Sequence, residues 1–403
     1  MKFILTLLLA AFSFNLFAQI NNDYISVNSG VKYQYLGTYD IERLNKITTT
    51  ELAEFAPFKQ EFPKAVYTVK LYRVQYQSVI PEQNNRPTTA SGLIAIPETG
   101  IKTMPVVSYQ HGTVFGKNEV PSYPEESYET RLMIAQFAGQ GYIVIAADYF
   151  GKGISTEANS YLVKESTEQA CVDMLNAAND IIPALGIKPG TLFLSGWSQG
   201  SWNTLVFLKK LEGFGVQVKA AAIESAPTDL YAILNRWIHN PKPVDAVYLP
   251  SLLALMANAY EFYYEVPGMT TSIIRPEYYQ ASKDLFQNKI SFEEFYKKTP
   301  AKLTDLITTE FADVSSVGTN HYWKFLQREV QAFRWRSVTP LYTYYGEIDE
   351  VVPEYIATIP VGYQQIMGGA TVTSFNAGSE ANHRGTFIYG AAHQKKWFDS
   401  LLK

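Results

Sequence analysis

The chain has 403 residues, with 34 Lys and Arg against 38 Asp and Glu, which gives a formal net charge of −4. This length predicts two or three domains, or one large α/β domain with an insertion. Hydrophobic residues make up 47% and charged residues 18% of the chain, a composition that excludes disordered, collagen-like and coiled-coil proteins. The slight acidity disfavours a nucleic-acid partner, and the single cysteine, Cys171, excludes an internal disulfide framework or a multi-cysteine zinc site.

Residues 1–18 have the layout of a secretory signal peptide. A basic start precedes the apolar run 3–12, and the small residue Ala18 stands at the predicted cleavage site. The apolar run is shorter than the ~20 residues that a transmembrane helix needs, and the polar residues Ser13 and Asn15 prevent its extension. We therefore expect a secreted or periplasmic protein with no integral membrane segment after cleavage.

Residues 19–64 form an N-terminal extension for which the sequence predicts no role, and beyond it strands and helices alternate. Short continuous apolar runs such as 104–109 are typical of strands buried on both faces of a parallel sheet. This alternation predicts a doubly wound, mostly parallel sheet flanked by helices, with a core at 65–227 and 337–403. Strands are predicted at 66–76, 89–96, 104–109, 141–147, 191–195, 218–223, 340–345 and 370–375, and helices at 126–139, 164–185, 201–211 and 387–402.

One long stretch, 228–336, interrupts this alternation with helix-like, aromatic-rich sequence. Helices are predicted in it at 230–237, 247–264, 277–287, 292–298 and 321–333. We expect a helical cap or lid over the functional site, with its aromatic side chains lining an acyl pocket. The alternative is a cap that packs on itself and only supports the core.

The nucleophile candidate lies where the strand 191–195 runs into Gly196-Trp197-Ser198-Gln199-Gly200, just before a predicted helix. A G-x-S-x-G sequence in this context forms a tight elbow that lifts the serine hydroxyl above the sheet edge. Small residues are needed on both sides because the turn brings them close together. The elbow also directs the N–H of Gln199 from the helix N-terminus toward a developing oxyanion. We therefore predict Ser198 as nucleophile and Gln199 as one oxyanion donor.

A serine hydroxyl needs a general base, and in this architecture the chain order is serine, acid, histidine. His383 stands in the loop between the last predicted strand and the last helix, at the carboxyl edge of the sheet. His321 and His393 lie on predicted helices instead. We therefore predict His383 as the base.

The orienting acid is predicted after the strand 340–345, where three carboxylates cluster. We assign the role to Asp349, because the apolar residues and the proline that come after it would hold its loop. Glu347 and Glu350 are expected to face solvent. Glu224 and Asp229, which come after the preceding strand, are alternative acids.

The second oxyanion donor is predicted after the strand 104–109, which ends in Gln110-His111-Gly112-Thr113. A backbone N–H in this loop faces the nucleophile in the expected sheet order, so Thr113 or Gly112 would donate alongside Gln199. His111 precedes the nucleophile in the chain, and we interpret it as a brace for the turn. The loop 148–153 is interpreted as a brace as well.

Together these segments resemble the α/β-hydrolases over roughly residues 65–403. The resemblance rests on 110–113, 148–153, 196–200, 346–353 and Asn382-His383-Arg384-Gly385. The insertion is similar to the lid of secreted lipases and esterases. The resemblance implies the α/β-hydrolase fold and hydrolysis by Ser198, Asp349 and His383, with no cofactor and no metal. The loop reads His111-Gly112-Thr113 where many lipases and esterases carry HGGG.

We therefore predict a secreted serine hydrolase that cleaves a carboxylic ester, either a small molecule or a lipid or glycan ester. A serine peptidase of the same fold would use the same three residues on an amide. A non-catalytic ligand-binding protein is the third alternative, and it predicts a broken triad.

Overall fold

The computed structural model describes residues 23–403. The predicted signal peptide, 1–18, lies outside the described residues. Ten strands form one sheet in the order β1-β2-β3-β4-β6-β5-β7-β8-β9-β10. Pairing is antiparallel from β1 to β4 and between β4 and β6, and parallel from β6 through β10. The strands are β1 (Ile25–Asn28), β2 (Val31–Tyr39), β3 (Val69–Ile80), β4 (Arg86–Pro97), β5 (Thr103–Gln110), β6 (Ile143–Ala147), β7 (Lys188–Trp197), β8 (Ala220–Glu224), β9 (Leu341–Tyr345) and β10 (Val372–Asn376).

Helices cover both faces of this sheet. A π-helical turn, Ile47–Glu51, joins the first two helices. The α-helices are α1 (Ile41–Lys46), α2 (Leu52–Phe55), α3 (Tyr128–Gln136), α4 (Lys164–Ala184), α5 (Gln199–Gly213), α6 (Leu230–His239), α7 (Leu249–Tyr263), α8 (Met269–Ile273), α9 (Tyr279–Phe286), α10 (Phe292–Lys298), α11 (Leu303–Leu306), α12 (Thr309–Ala312), α13 (His321–Arg328), α14 (Glu354–Ala357), α15 (Ile359–Met367) and α16 (His383–Ser400). Short 3-10 turns lie at Pro81–Gln83, Pro124–Glu126, Ala138–Gln140, Pro276–Tyr278 and Val314–Ser316.

Two hydrophobic cores lie on opposite sides of the sheet, and β6 shows why. Its side chains alternate between faces, so Ile143, Ile145 and Ala147 belong to the core shared with α4 and α5. Val144 and Ala146 belong to the core shared with α3 and α16. A strand buried on both faces has to be apolar throughout, which explains the continuous apolar runs in the sequence.

The N-terminal segment extends this sheet. The strands β1 and β2 pair antiparallel onto β3 and lengthen the sheet at one edge. The helical turns after β2 reach α16, where the Phe55 carbonyl accepts a hydrogen bond from Arg384 at 2.9 Å. The Phe55 ring stacks on Tyr128 with 4.4 Å between ring centroids. Strands and helices of residues 25–55 therefore pack onto the sheet that the later residues form.

After β8 the chain leaves the carboxyl edge of the sheet, and it later returns to the amino edge to begin β9, which runs parallel to β8. In between it forms the eight helices α6–α13. Within these residues the structure has no named strand, only an isolated bridge between Ile274 and Ile307. The indole N–H of Trp202 in the core donates to the Val330 carbonyl at 3.0 Å, which ties the insertion to α5. In residues 23–403 no helix is long and apolar enough to cross a membrane.

Candidate active site

Ser198 occupies a strained turn between β7 and α5. Its backbone has φ 56° and ψ −120°, a conformation that costs a non-glycine residue about 1–3 kcal/mol. The turn is tight: a Cβ on Gly200 would lie 1.9 Å from the Gln110 carbonyl oxygen, and one on Gly196 would lie 2.3 Å from the Gly200 oxygen. Only glycine fits at these two positions. This close approach of the backbone explains why the G-x-S-x-G pattern needs its two glycines.

Asp349 and His383 form a buried pair next to this turn. The Nδ1 atom of His383 lies 3.0 Å and 3.1 Å from the two carboxylate oxygens of Asp349. The carboxylate also accepts hydrogen bonds from Ser225 Oγ at 2.6 Å and from the N–H groups of Val351 and Val352 at 2.9 Å and 2.8 Å. These contacts hold Nδ1 in place, so the Nε2 atom of His383 remains to take a proton.

The electrostatics of this pair suit a general base. Burial by itself would raise the pKa of Asp349, but the neighbouring His383 and the hydrogen bonds to the carboxylate outweigh it and lower that pKa. Burial would likewise lower the pKa of His383, but the Asp349 charge and hydrogen bond outweigh it and raise that pKa. Asp349 therefore stabilises the imidazolium form that His383 takes when it accepts a proton.

Ser198 and His383 line one cavity of ≈ 450 Å³ at the carboxyl edge of the sheet. Within residues 23–403 no hydrogen bond joins Ser198 Oγ to His383. Hydrogen bonds between a catalytic serine and histidine are often long until substrate binds. That Ser198 and His383 line the same cavity is therefore what makes them a candidate pair. Thr113, Tyr248 and Phe292 lie on the walls of the same cavity.

The candidate oxyanion donors differ in whether their backbone N–H already has a hydrogen-bond partner. Gln199 is the first residue of α5, where a backbone N–H has no partner within the helix. The N–H of Gly112 already donates to the two Glu129 carboxylate oxygens at 3.0 Å and 3.2 Å. Among the described residues the N–H of Thr113 has no hydrogen-bond partner, and Thr113 lines the cavity. Of the two predicted alternatives, Thr113 has an N–H free of other partners among residues 23–403, and Gly112 does not.

Two buried ionisable residues hold this loop: Lys152, which lies in the predicted brace 148–153, and Glu129, for which the sequence predicted no role. Burial raises the pKa of Glu129 to about 7, and its carboxylate anchors Gly112 from the α3 side. On the other side the Lys152 ammonium donates to the carbonyls of Phe115 and Gly116 at 3.0 Å and 3.3 Å. A charged residue between two glycines just after a strand is the only signal in the sequence that pointed to Lys152.

Lys152 also connects the loop to the insertion. Its third donor reaches Asn288 Oδ1 at 3.1 Å, while the Asn288 amide donates to the Gly151 carbonyl at 3.0 Å. The Phe115 ring, next along the loop, stacks on Phe292 of α10 with 4.6 Å between centroids. The loop beside Ser198 and residues 288–292 of the insertion therefore form one packed unit.

We predict that Lys152→Met destabilises the protein by an amount that grows as pH rises from 7 to 9. Burial lowers the pKa of Lys152 to about 7, against an ordinary value of about 10.4. Unfolding therefore takes up a proton in this window, so stability contributed by Lys152 rises with pH and is smallest below pH 7. Melting curves of both proteins at several pH values measure the difference.

Lys117→Met, at an exposed position of the same loop, is the control. A difference that shrinks with pH would contradict the prediction.

The histidines other than His383 have structural surroundings. Both ring nitrogens of buried His111 contact backbone carbonyls, of Gly112 at 2.8 Å and Asp148 at 3.2 Å. Burial lowers the pKa of His111 to about 4 against these two contacts. A neutral ring donates to only one of the two carbonyls, and the buried ring braces the turn. His393 lies inside α16, where its Nδ1 is 3.0 Å from the Tyr344 hydroxyl. His321 is exposed at the start of α13.

The remaining carboxylates differ in their roles as well. Glu347 is exposed, whereas Glu350 is half-buried and accepts a hydrogen bond from the N–H of His383 at 2.9 Å. The expectation that Glu350 faces solvent is therefore wrong: it helps to hold the first turn of α16. Glu224 is buried beside Gln394, and Asp229 caps α6. Neither of these two contacts His383.

No protein-family model matches this sequence, and no curated protein matches it. Solved structures do match in fold. A presumed hydrolase from Legionella pneumophila subsp. pneumophila superposes with a TM-score of 0.82 at 21% identity, covering 94% of this chain and 98% of the other. The rice cell wall degrading esterase LipA from Xanthomonas oryzae gives 0.75 at 19% identity, covering 94% and 96%. Candida antarctica lipase A in its closed state gives 0.64 at 15%, covering 82% and 77%. The chain has the α/β-hydrolase fold, as its sequence predicts.

Proposed function

We propose that this protein is an exported serine hydrolase that cleaves carboxylic esters through an acyl-enzyme on Ser198. The single observation that carries the proposal is that the strained Ser198 and the His383 held by Asp349 open onto one cavity. The structural neighbours named as an esterase and a lipase share this fold, which supports an ester as the substrate. The export step rests on the predicted signal peptide at residues 1–18.

The chemistry follows from the positions of the three side chains. As Ser198 Oγ bonds to the acyl carbon, His383 Nε2 takes the hydroxyl proton. The carbonyl oxygen becomes an oxyanion that accepts hydrogen bonds from the N–H groups of Gln199 and Thr113. His383 then gives its proton to the departing alcohol oxygen. Water repeats the sequence on the acyl-enzyme and releases the carboxylic acid, and Asp349 stays ionised throughout.

The proposal is tested with p-nitrophenyl esters beside matched peptide p-nitroanilides. We expect turnover of the esters and labelling by a fluorophosphonate at a single site, Ser198, located by mass spectrometry of the digested protein. Faster turnover of the anilides would identify a peptidase instead. Absence of both turnover and labelling in the folded protein would identify a binding protein.

We predict that the acidic limb of the kcat/KM profile lies above about pH 6.5, the ordinary histidine value. Asp349 raises the pKa of His383, and the base has to be neutral to accept the Ser198 proton, so activity falls as pH drops through that raised pKa. Initial rates from pH 5 to 9 measure the limb. His393→Ala should leave it in place, and a limb well below pH 6.5 would contradict the assignment of His383.

A further inference from the structure

Two spaces of very different size meet at Ser198. The larger is the cavity of ≈ 450 Å³ that Ser198 shares with His383. The second is a slot of ≈ 30 Å³ beside Ser198 and Gln199. Apart from these two residues and Tyr161, its walls are apolar: Leu162, Pro227, Leu230, Ile233, Leu234, Trp237, Leu252, Met256, Val351 and Val352.

The chemistry assigns one half of an ester to each space, provided the function proposed above is correct. The leaving oxygen has to lie at His383, because that residue donates its proton. His383 lines the larger cavity and is not among the residues that line the slot. The alcohol half therefore belongs in the larger cavity, and the acyl half extends past Gln199 into the slot.

The slot holds only a short acyl chain. A volume of ≈ 30 Å³ accommodates roughly two groups of the size of a water molecule. Residues of α6 and α7 of the insertion form much of its wall, and Leu234 and Met256 there are almost fully buried. Trp237 is fixed by a hydrogen bond from its indole N–H to the Val351 carbonyl at 3.0 Å. The wall is thus held by the same loop that carries Asp349.

The larger cavity has a different character. Four aromatic side chains, Phe115, Trp197, Tyr248 and Phe292, lie on its walls together with the charged residues Glu119, Glu350 and Arg384. Aromatic faces beside charged groups suit a bulky alcohol that carries hydrogen-bonding groups. Of the aromatic residues of the insertion, Tyr248 and Phe292 line the larger cavity and Trp237 lines the slot, whose other insertion residues are aliphatic or Met256.

We propose that the preferred substrates are esters of short acyl groups, of about two to four carbons, with alcohols much larger than the acyl group, and that Leu234 and Trp237 set the acyl-length limit. The small volume of the slot excludes long-chain fatty acyl groups. Residues on the alcohol side, such as Tyr248, do not affect acyl length.

The experiment is a series of p-nitrophenyl esters with acyl chains of 2, 4, 8 and 12 carbons, so that the alcohol stays constant. We expect kcat/KM of the wild type to be highest at 2–4 carbons and at least tenfold lower at 8. Trp237→Ala and Leu234→Ala should each raise the 8-to-2 carbon ratio of kcat/KM about tenfold. Tyr248→Ala should leave that ratio unchanged, and the ratio is unaffected by any general loss of activity.

The outcomes separate this inference from the proposed function. Hydrolysis that depends on Ser198 but is fastest at 8 or 12 carbons would overturn the short-acyl inference and leave the esterase proposal standing. An unchanged ratio in both slot variants, with both proteins folded by circular dichroism, would overturn the roles of Leu234 and Trp237. No turnover of any ester by the wild type would overturn the proposed function and this inference with it.

Discussion

Ser198→Ala should lower kcat/KM for a p-nitrophenyl ester by at least about 10³-fold, because a triad without its nucleophile retains only the oxyanion donors and binding. The backbone at φ 56° is equally strained with alanine, so the melting temperature should change little. Steady-state rates and a thermal melt of the same preparation measure both quantities. Fluorophosphonate labelling should disappear together with the activity.

Ser195→Ala is the matched control for this variant. Ser195 lies three residues earlier in β7, and its buried hydroxyl has no partner among residues 23–403. Removing that hydroxyl breaks no hydrogen bond, so activity should stay near the wild-type value. If Ser198→Ala retained normal turnover while Ser195→Ala lost it, the assignment of the nucleophile would be wrong.

Asp349→Asn should lower kcat by about 10⁴-fold while the fold survives. An asparagine at this position keeps the shape of the carboxylate and can still accept from Val351 and Val352. Its amide would donate to Nδ1 of His383 and place the histidine proton on Nε2. That tautomer cannot accept the Ser198 proton, and the charge that stabilises the imidazolium is also lost.

Glu347→Gln and Glu224→Gln are the controls for the acid. Glu347 is exposed, and its carboxylate accepts from the Asn376 side chain. Glu224 is fully buried, and burial raises its pKa well above the ordinary value. Both variants should keep most of the wild-type kcat. A loss in Glu224→Gln as large as that in Asp349→Asn, with both proteins folded, would move the orienting role to Glu224.

Much of the site could be predicted from short sequence patterns for one physical reason. Parallel strands end at a common edge, so the residues after β5, β7, β9 and β10 meet although they are far apart in the chain. The contact between Asp349 and His383 fulfils this expectation. The two glycines of the elbow could also be predicted from the sequence, because the tight turn that requires them is formed by neighbouring residues.

Other features could not be predicted, because they depend on contacts between distant segments. The choice between Gly112 and Thr113 depends on Glu129, a residue of α3 that folds under the loop. The strands β1 and β2 leave only a weak pattern in the sequence, because most of their side chains are exposed or half-buried.

The sequence by itself determined the α/β order of elements, the elbow at Ser198, and the strand ends that carry Asp349 and His383, since each is encoded within a few neighbouring residues. Only the tertiary structure decided whether Gly112 or Thr113 has a free backbone N–H and how Lys152 links the loop after β5 to Asn288. It also decided which of the two spaces beside Ser198 is the smaller. These properties depend on how the insertion packs on the sheet edge, and packing between segments more than 100 residues apart is not written in any local pattern.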